Sequence, residues 1–377
     1  MKLLKLLAFL CIVGFIVYFF YGETYQDAGL KGVQEEISND FVQLKENPKL
    51  QAITDTVKQE ITLFYNQIMN KENTDTSFEN GETVKKPTLH SPEQQDFSIH
   101  NIEIGDNKSF VEGELGSSKR ISMNEYGINW HTYHQNYQNF LMVAYNDKEQ
   151  VIGLYTNQDL LTSSYHLTMQ NNQEDVREKL GKPIEGIRKG FTIYQTAHNN
   201  EYDTYLFDQN YVTIFYDLHQ ENKITGIQII TESMEKRKDG FYGKASDQLR
   251  NGLEYQLFDL TNASRVVHGK PILTWIDEAQ ETARAHSKDM AVNQYFSHDN
   301  LRGESPFDRL TNDGISYRTA GENLASGQTS SIFAHEGLMN SSGHRKNILH
   351  NDFKQLTVGV AFDDENKPYY TENFITK

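Results

Sequence analysis

The chain has 377 residues, room for two or three domains, and a formal net charge of −16, which excludes nucleic acid as a partner because phosphate binding needs a basic surface. Its single cysteine, Cys11, leaves everything downstream thiol-free. That excludes a disulfide framework, a cysteine nucleophile and a cysteine-ligated zinc from the body of the protein.

Residues 1–22 read as an uncleaved transmembrane signal anchor. Lys2 and Lys5 lead into an apolar run of 16 residues from Leu6 to Tyr21. Leu3 and Leu4 extend it toward the roughly 20 residues of a spanning helix, with Lys5 snorkelling and Tyr18 and Tyr21 at the far interface. The stretch YFFYGETYQDA offers no A-x-A cleavage pattern, and Leu10 precedes Cys11 where a lipoprotein signal needs a small residue. The lysines belong on the cytoplasmic side. The expected location is therefore the cell membrane, single-pass, with the C-terminal domains extracytoplasmic.

A helical stalk follows over residues 23–70. Leu30, Val33, Ile37, Phe41 and Leu44 form one apolar stripe, and after Pro48 a second runs through Leu50, Ile53, Val57, Ile61, Phe64 and Ile68. The stripes fit a self-associating spacer or two amphipathic helices folded back on the protein. Residues 71–97, polar and carrying Pro87 and Pro92, read as a linker.

Residues 98–232 carry an internal repeat. "VEGELGSS" from Val111 parallels "VREKLGKP" from Val176, and the run Asn139 to Thr156 parallels Asn210 to Ile230. Each unit predicts a short helix ending at a glycine, then a hairpin of alternating apolar and polar residues. The aromatic cluster of Trp130, His131, Tyr133, His134 and Tyr137 reads as strand and loop packing. Residues 233–245 form a charged linker.

From residue 246 to 377 helices lead and strands follow. Ser246 and Asp247 are candidate caps for a helix carrying Leu249, Leu253, Leu257 and Leu260. Asp277 is the expected cap of a second, with Ala279, Ala283, His286 and Met290 facing inward, His286 as a core histidine. Residues near 355–376 alternate as a hairpin. Familiar catalytic motifs are missing. "HEGLM" has Met339 where a zinc helix needs its second histidine, and there is no G-x-S-x-G elbow and no phosphate-cradling G-x-x-x-x-G-K-[ST]. His298, Glu322 and His344 stand in separate polar stretches, at intervals of 24 and 22, and spacing alone does not bring them together.

The stretches "LTNASRVVHGKPILTW", "ARAHSKDMAVNQYFSHDN", "SPFDRL", "AGENLASG", "MNSSGHRKNIL" and "TVGVAF" together resemble the bacterial branch of the CAP superfamily, which holds cysteine-rich secretory proteins, antigen 5 and plant pathogenesis-related proteins. Residues 98–232 resemble the CAP-associated domain that precedes such modules in Gram-positive bacteria. The resemblance implies an α+β protein whose C-terminal CAP (SCP-like) domain is an α/β/α sandwich with a mixed sheet, exported to the cell surface, behind a duplicated α+β middle domain. It also implies a cleft of two histidines and two acidic residues, which in some members holds a divalent metal such as zinc. His298 from "FSH", Glu322 from "GEN" and His344 from "GHR" match, with the two histidines as metal ligands and Glu322 as third ligand, orienting group or base. The second acidic position has no clean match. Leu338 stands where a tryptophan is usual, Ser341 falls near the acidic position and Glu336 lies two residues before Leu338. Asn323, Glu336 and Ser341 are the candidate ligand contacts.

Three functions fit this reading. The cleft binds a cell-wall, lipid or peptide ligand at the cell surface; it runs metal-assisted hydrolysis through His298, Glu322 and His344; or the chain is a structural component of an envelope assembly.

Overall fold

The computed structural model describes residues 83–196 and 200–377, so the anchor and stalk expected at 1–70 and the start of the linker lie outside the described residues. Among the described residues no helix is long and apolar enough to cross a membrane. Residues 83–96 take no regular structure, yet they are docked rather than loose. The Glu103 carboxylate accepts the backbone N–H groups of Glu93, Gln94 and Gln95 at 2.7, 2.9 and 2.6 Å. This delivers the chain to β1 (Phe97–Ile99), which pairs antiparallel with β6 (Leu161–Ser163).

The middle domain has two halves, each opening on a short helix and closing on a three-stranded meander. Its first half has α1 (Lys108–Leu115), β2 (Arg120–Met123), β3 (Asn129–Gln135), β4 (Gln138–Tyr145) and β5 (Val151–Thr156). The second has α2 (Gln173–Leu180), the small hairpin β7 (Gly186–Lys189) and β8 (Thr192–Gln195), then β9 (Tyr202–Phe207), β10 (Asn210–Asp217) and β11 (Lys223–Thr231). Both helices stop at a glycine of positive φ, Gly116 at 73° and Gly181 at 80°. A capping box between Asn172 and Asp175 starts α2. The strands make one antiparallel sheet in the order β2-β3-β4-β5-β11-β10-β9, so the meanders β3-β4-β5 and β9-β10-β11 meet at the β5–β11 ladder. Strand alternation then sorts the side chains. Leu141, Val143, Leu154, Ile227 and Ile229 join Val111, Val176 and Ile99 in one core. Met142, Tyr155, Phe215 and Ile230 face the other way, with Trp130.

That second face is covered by the C-terminal domain. After α3 (Glu232–Glu235) come α4 (Asp247–Val267), β12 (Thr274–Trp275), a single 3-10 turn at Asp277–Ala279, α5 (Gln280–Asn293), α6 (Pro306–Asn312), β13 (Thr319–Ser326), α7 (Ser331–Asn340), α8 (Ser342–Ile348), β14 (Gln355–Phe362) and β15 (Pro368–Thr376). Ser246 caps α4, its hydroxyl accepting the Leu249 N–H at 3.0 Å. Asp277 does not cap its helix. Its carboxylate accepts the Trp275 indole N–H at 2.9 Å, and the helix begins with the 3-10 turn instead. The sheet β12-β14-β15-β13 is mixed, parallel only between β12 and β14. Helix α5 lies on one face, where the Ser287 hydroxyl donates to the Gly359 carbonyl at 2.9 Å. Leu253 and Leu257 of α4 and Ala334 and Leu338 of α7 fill the other against Val358, Val360 and Tyr370. The result is an α/β/α sandwich.

Helices α4 and α7 are thus shared. Leu260, Ala263 and Ile332 turn from the sandwich into the core beneath Trp130 and Tyr155. At Gly252 the approach of α4 to β2 is so close that a Cβ would strike the Met123 backbone. Polar links tie the same seam. Asp259 takes Arg120 at 2.7 Å and the Tyr137 hydroxyl at 3.0 Å, Arg345 meets Asp217 at 2.8 Å, and the Asn157 amide donates to the Ser264 hydroxyl at 3.0 Å.

The Tyr155 hydroxyl donates to the Glu336 carboxylate at 2.7 Å across this seam. Burial pushes the Glu336 carboxyl up from 4.5 to about 7, against the opposing pull of the Tyr155 hydrogen bond. An acid raised in this way stabilises the fold fully below 4.5 and loses that contribution as pH rises through about 7. Glu336→Gln keeps an acceptor for Tyr155 and has no proton to lose. Its Tm relative to wild type should therefore climb between pH 4.5 and 7, by the equivalent of up to about 3 kcal/mol. Thermal scans across that range check it; a Tm difference that does not vary with pH would contradict it.

Candidate functional site

Strand β13 is an edge of the C-terminal sheet, and its outer side is where the dispersed polar residues meet. An edge strand carries unpaired backbone groups that need cover. Helix α8 supplies part of it. The Asn347 amide donates to the Glu322 carbonyl at 3.1 Å and to the Asn323 side-chain oxygen at 3.0 Å, while the Asn323 amide donates to the His344 carbonyl at 3.3 Å. The loop after α5 supplies His298. Its Nδ1 lies 2.9 Å from Glu322 Oε1.

Glu322 is buried, and both of its oxygens are engaged. The Arg309 guanidinium, also buried, donates to Oε2 at 2.6 Å. Arg309 further donates to the carbonyls of His298 and Glu304, at 2.7 and 3.0 Å. One residue therefore neutralises the carboxylate and fixes the loop that presents the histidine. Arg309 follows a capping box, Ser305 with Asp308, that starts α6 with Pro306 in its first turn.

His344 completes the group. Burial holds its pKa down at about 4, and the charge of nearby His298 adds to the depression. It is thus a neutral imidazole at physiological pH, with no hydrogen bond to its ring from the described residues. His298 turns Nδ1 to Glu322, which leaves Nε2 as its free nitrogen among the described residues. The cleft offers two neighbouring imidazoles, one oriented by a carboxylate. His286 sits behind them, buried, with Nε2 3.0 Å from the Ser297 carbonyl.

The remaining candidates fall elsewhere. Asn323 is wholly buried, its amide also held by Glu372 at 2.9 Å, so it braces the cleft wall and presents nothing to a ligand. Glu336 faces Tyr155 on the seam between the domains, because α7 turns it toward the middle sheet. Ser341 is the hinge between α7 and α8, and its side chain caps neither helix. A zinc centre takes three or four protein ligands. Among the described residues no group of three or more His, Cys, Asp or Glu side chains is arranged to hold a metal. With Glu322 occupied by Arg309 and His298, the donor set ends at two imidazoles, and a resident zinc does not fit it.

Residues 258–374 match the CAP family, described as the cysteine-rich secretory protein family, and residues 104–241 match the CAP-associated N-terminal family. The chain carries a CAP domain preceded by a CAP-associated N-terminal domain. It is 26% identical over 332 residues to the uncharacterized membrane protein YlbC of Bacillus subtilis (strain 168), covering 83% of this chain and 93% of that protein. The uncharacterized protein YkwD of the same strain is 41% identical over 124 residues, 33% of this chain and 47% of YkwD. Among solved structures, an extracellular SCP-domain protein from Bacillus anthracis str. Ames superposes with a TM-score of 0.65 at 27% identity, covering 78% of this chain and 100% of that one. A cysteine-rich secretory protein from Staphylococcus aureus subsp. aureus Mu50 shares the fold, with a TM-score of 0.57 at 16% identity over 73% of this chain and 91% of that one.

The electrostatic contact between the two cleft histidines is open to a direct check. Replacing His298 by Ala should raise the His344 pKa from about 4, but leave it below 6.5, because burial is the larger cause. An NMR titration of the His344 ring reads this. An unchanged value would place the two rings out of each other's reach.

Proposed function

We propose that the chain is held at the cell membrane by residues 1–22 and displays a CAP cleft outside the cell that binds a surface ligand. The observation that carries this reading is the Glu322 carboxylate held between Arg309 and His298, beside a neutral His344. Such a cleft offers directed hydrogen bonds to a ligand and no activated nucleophile. The donor set, ending at two imidazoles, favours binding over metal-assisted hydrolysis. The membrane-protein name of the Bacillus subtilis relative and the extracellular description of the Bacillus anthracis structure support the location.

Location and binding are tested separately. Protease added to intact cells should release the part beyond the anchor and leave residues 1–22 in the membrane; a mature N-terminus at residue 23 or later on most molecules would overturn the anchor. For binding, the full chain in mild detergent should co-sediment with isolated cell-wall material from a Gram-positive host. His344→Ala and His298→Ala should each raise the Kd read from the sedimentation isotherm about tenfold, a loss of roughly 1.4 kcal/mol. Variants that sediment like wild type would remove the cleft from the binding.

A further inference from the structure

A second cavity, of about 500 Å³, lies between the middle sheet and the C-terminal domain, on the open part of the face that α4 and α7 cover. This is within the range of small-molecule sites, about 300–1,000 Å³. Its floor is a row of hydrogen-bonding side chains running across the sheet in register. Thr204 of β9 pairs with Thr213 of β10, Thr213 with Gln228 of β11, and Gln228 with Tyr155 of β5. The two threonine hydroxyls are 3.1 Å apart, and Tyr155 holds Glu336 at the far end. Gln228 is the exception in the row. It is 2% exposed, it lines the cavity, and its amide nitrogen has no protein partner. A buried amide donor left without a partner costs about 1–3 kcal/mol, so a donor kept on a cavity floor points to an acceptor supplied from outside.

Aromatic rings line one side and the mouth. Tyr202, Phe215 and Phe333 meet in tilted and edge-on contacts at one side. At the mouth Tyr194 of the β7–β8 hairpin stacks on Phe241, with centroids 5.9 Å apart, and Phe241 is 41% exposed. The charges around the cavity are largely cancelled. Glu235 is paired with Lys189 at 2.8 Å and with Lys238 at 3.6 Å, and the Glu336 carboxyl binds Tyr155 in a wholly buried site. Glu201 adds a further carboxylate to the lining, so the balance disfavours an anion.

We propose that this cavity between the two domains is a binding site for a neutral sugar. A pyranose has apolar C–H faces that lie against aromatic rings and a rim of hydroxyls that both donate and accept. The cavity presents that pairing: aromatic walls and mouth, and a floor of hydroxyls and an amide. A lipid tail would leave the Gln228 amide without a partner and would offer nothing to the spare acceptor capacity of Thr204 and Thr213. The site is separate from the His298–Glu322–His344 cleft and does not depend on it.

The experiment uses the full chain in mild detergent, with the methyl β-glycosides of glucose and of N-acetylglucosamine as probes, followed by saturation-transfer NMR and titration calorimetry. At least one of them should bind saturably in the millimolar range. Gln228→Leu, close in shape and without the amide, should weaken binding about tenfold or more with no loss of Tm. Phe241→Ala, at the exposed mouth, should weaken it as well. Failure of both glycosides to bind, or wild-type binding by Gln228→Leu, would overturn the site. Preferential binding of glucuronate or of lysine methyl ester would overturn the neutral-sugar assignment.

Discussion

One apolar face governs this structure: the side of the seven-stranded sheet that carries Trp130, Met142, Tyr155, Phe215 and Ile230. Exposed, it would be far larger than the apolar patches soluble proteins tolerate. It finds its cover in α4 and α7, helices whose opposite sides already fill the C-terminal sandwich. Two domains are therefore built around helices that both need. The Arg120–Asp259 and Arg345–Asp217 pairs add direction to a contact whose driving force is apolar burial. With α4 and α7 fixed on both sides, the α7–α8 hinge and the residues that follow it are held in place. His344 inherits its position from that arrangement.

The cleft illustrates how an edge strand is put to use. β13 would otherwise present a bare row of backbone groups, and Asn347 occupies part of it while setting α8 beside the strand. Glu322 can remain buried because Arg309 reaches it from α6, and the same guanidinium holds the His298 loop through its carbonyl. Edge protection, charge neutralisation and histidine placement are one network. Glu372 lies opposite Asn323 in the sheet register and extends the network inward.

Much of this was legible along the chain. Ser246 as a cap, Gly116 and Gly181 as helix ends, and the hairpins of the two middle units follow from local chemistry that does not need the rest of the protein. His298, Glu322 and His344 were found through family motifs, since their intervals have no helical or strand period. Arg309 has no signal of its own in the sequence, because an arginine in the last turn of a short helix reads as surface, and only the fold shows the carboxylate 13 positions away. Glu336 was assigned toward the cleft because it neighbours the motif. Its actual partner, Tyr155, is 181 residues distant, beyond the reach of any local pattern. The docking of residues 93–95 has no signature in the sequence either, since a lone carboxylate at Glu103 that gathers three backbone N–H groups follows no periodic pattern.

The Glu103 carboxylate also has a mechanical meaning. Tension arriving along the chain ahead of β1 would first load the contacts of residues 84–90, among them the Val84 N–H on Gln138, the His90 N–H on Asn101 and the Thr162 hydroxyl on the His90 carbonyl, next the three N–H groups held by Glu103, then the short ladder of β1 with β6, and only then the main sheet. These contacts act as a sacrificial buffer. Residues 84–99 would peel away and reseat after the load passes, while the β5–β11 joint and the helices beneath it stay unstrained. A protein pulled from its N-terminal side would then dissipate force at a replaceable strap, far along the chain from His344.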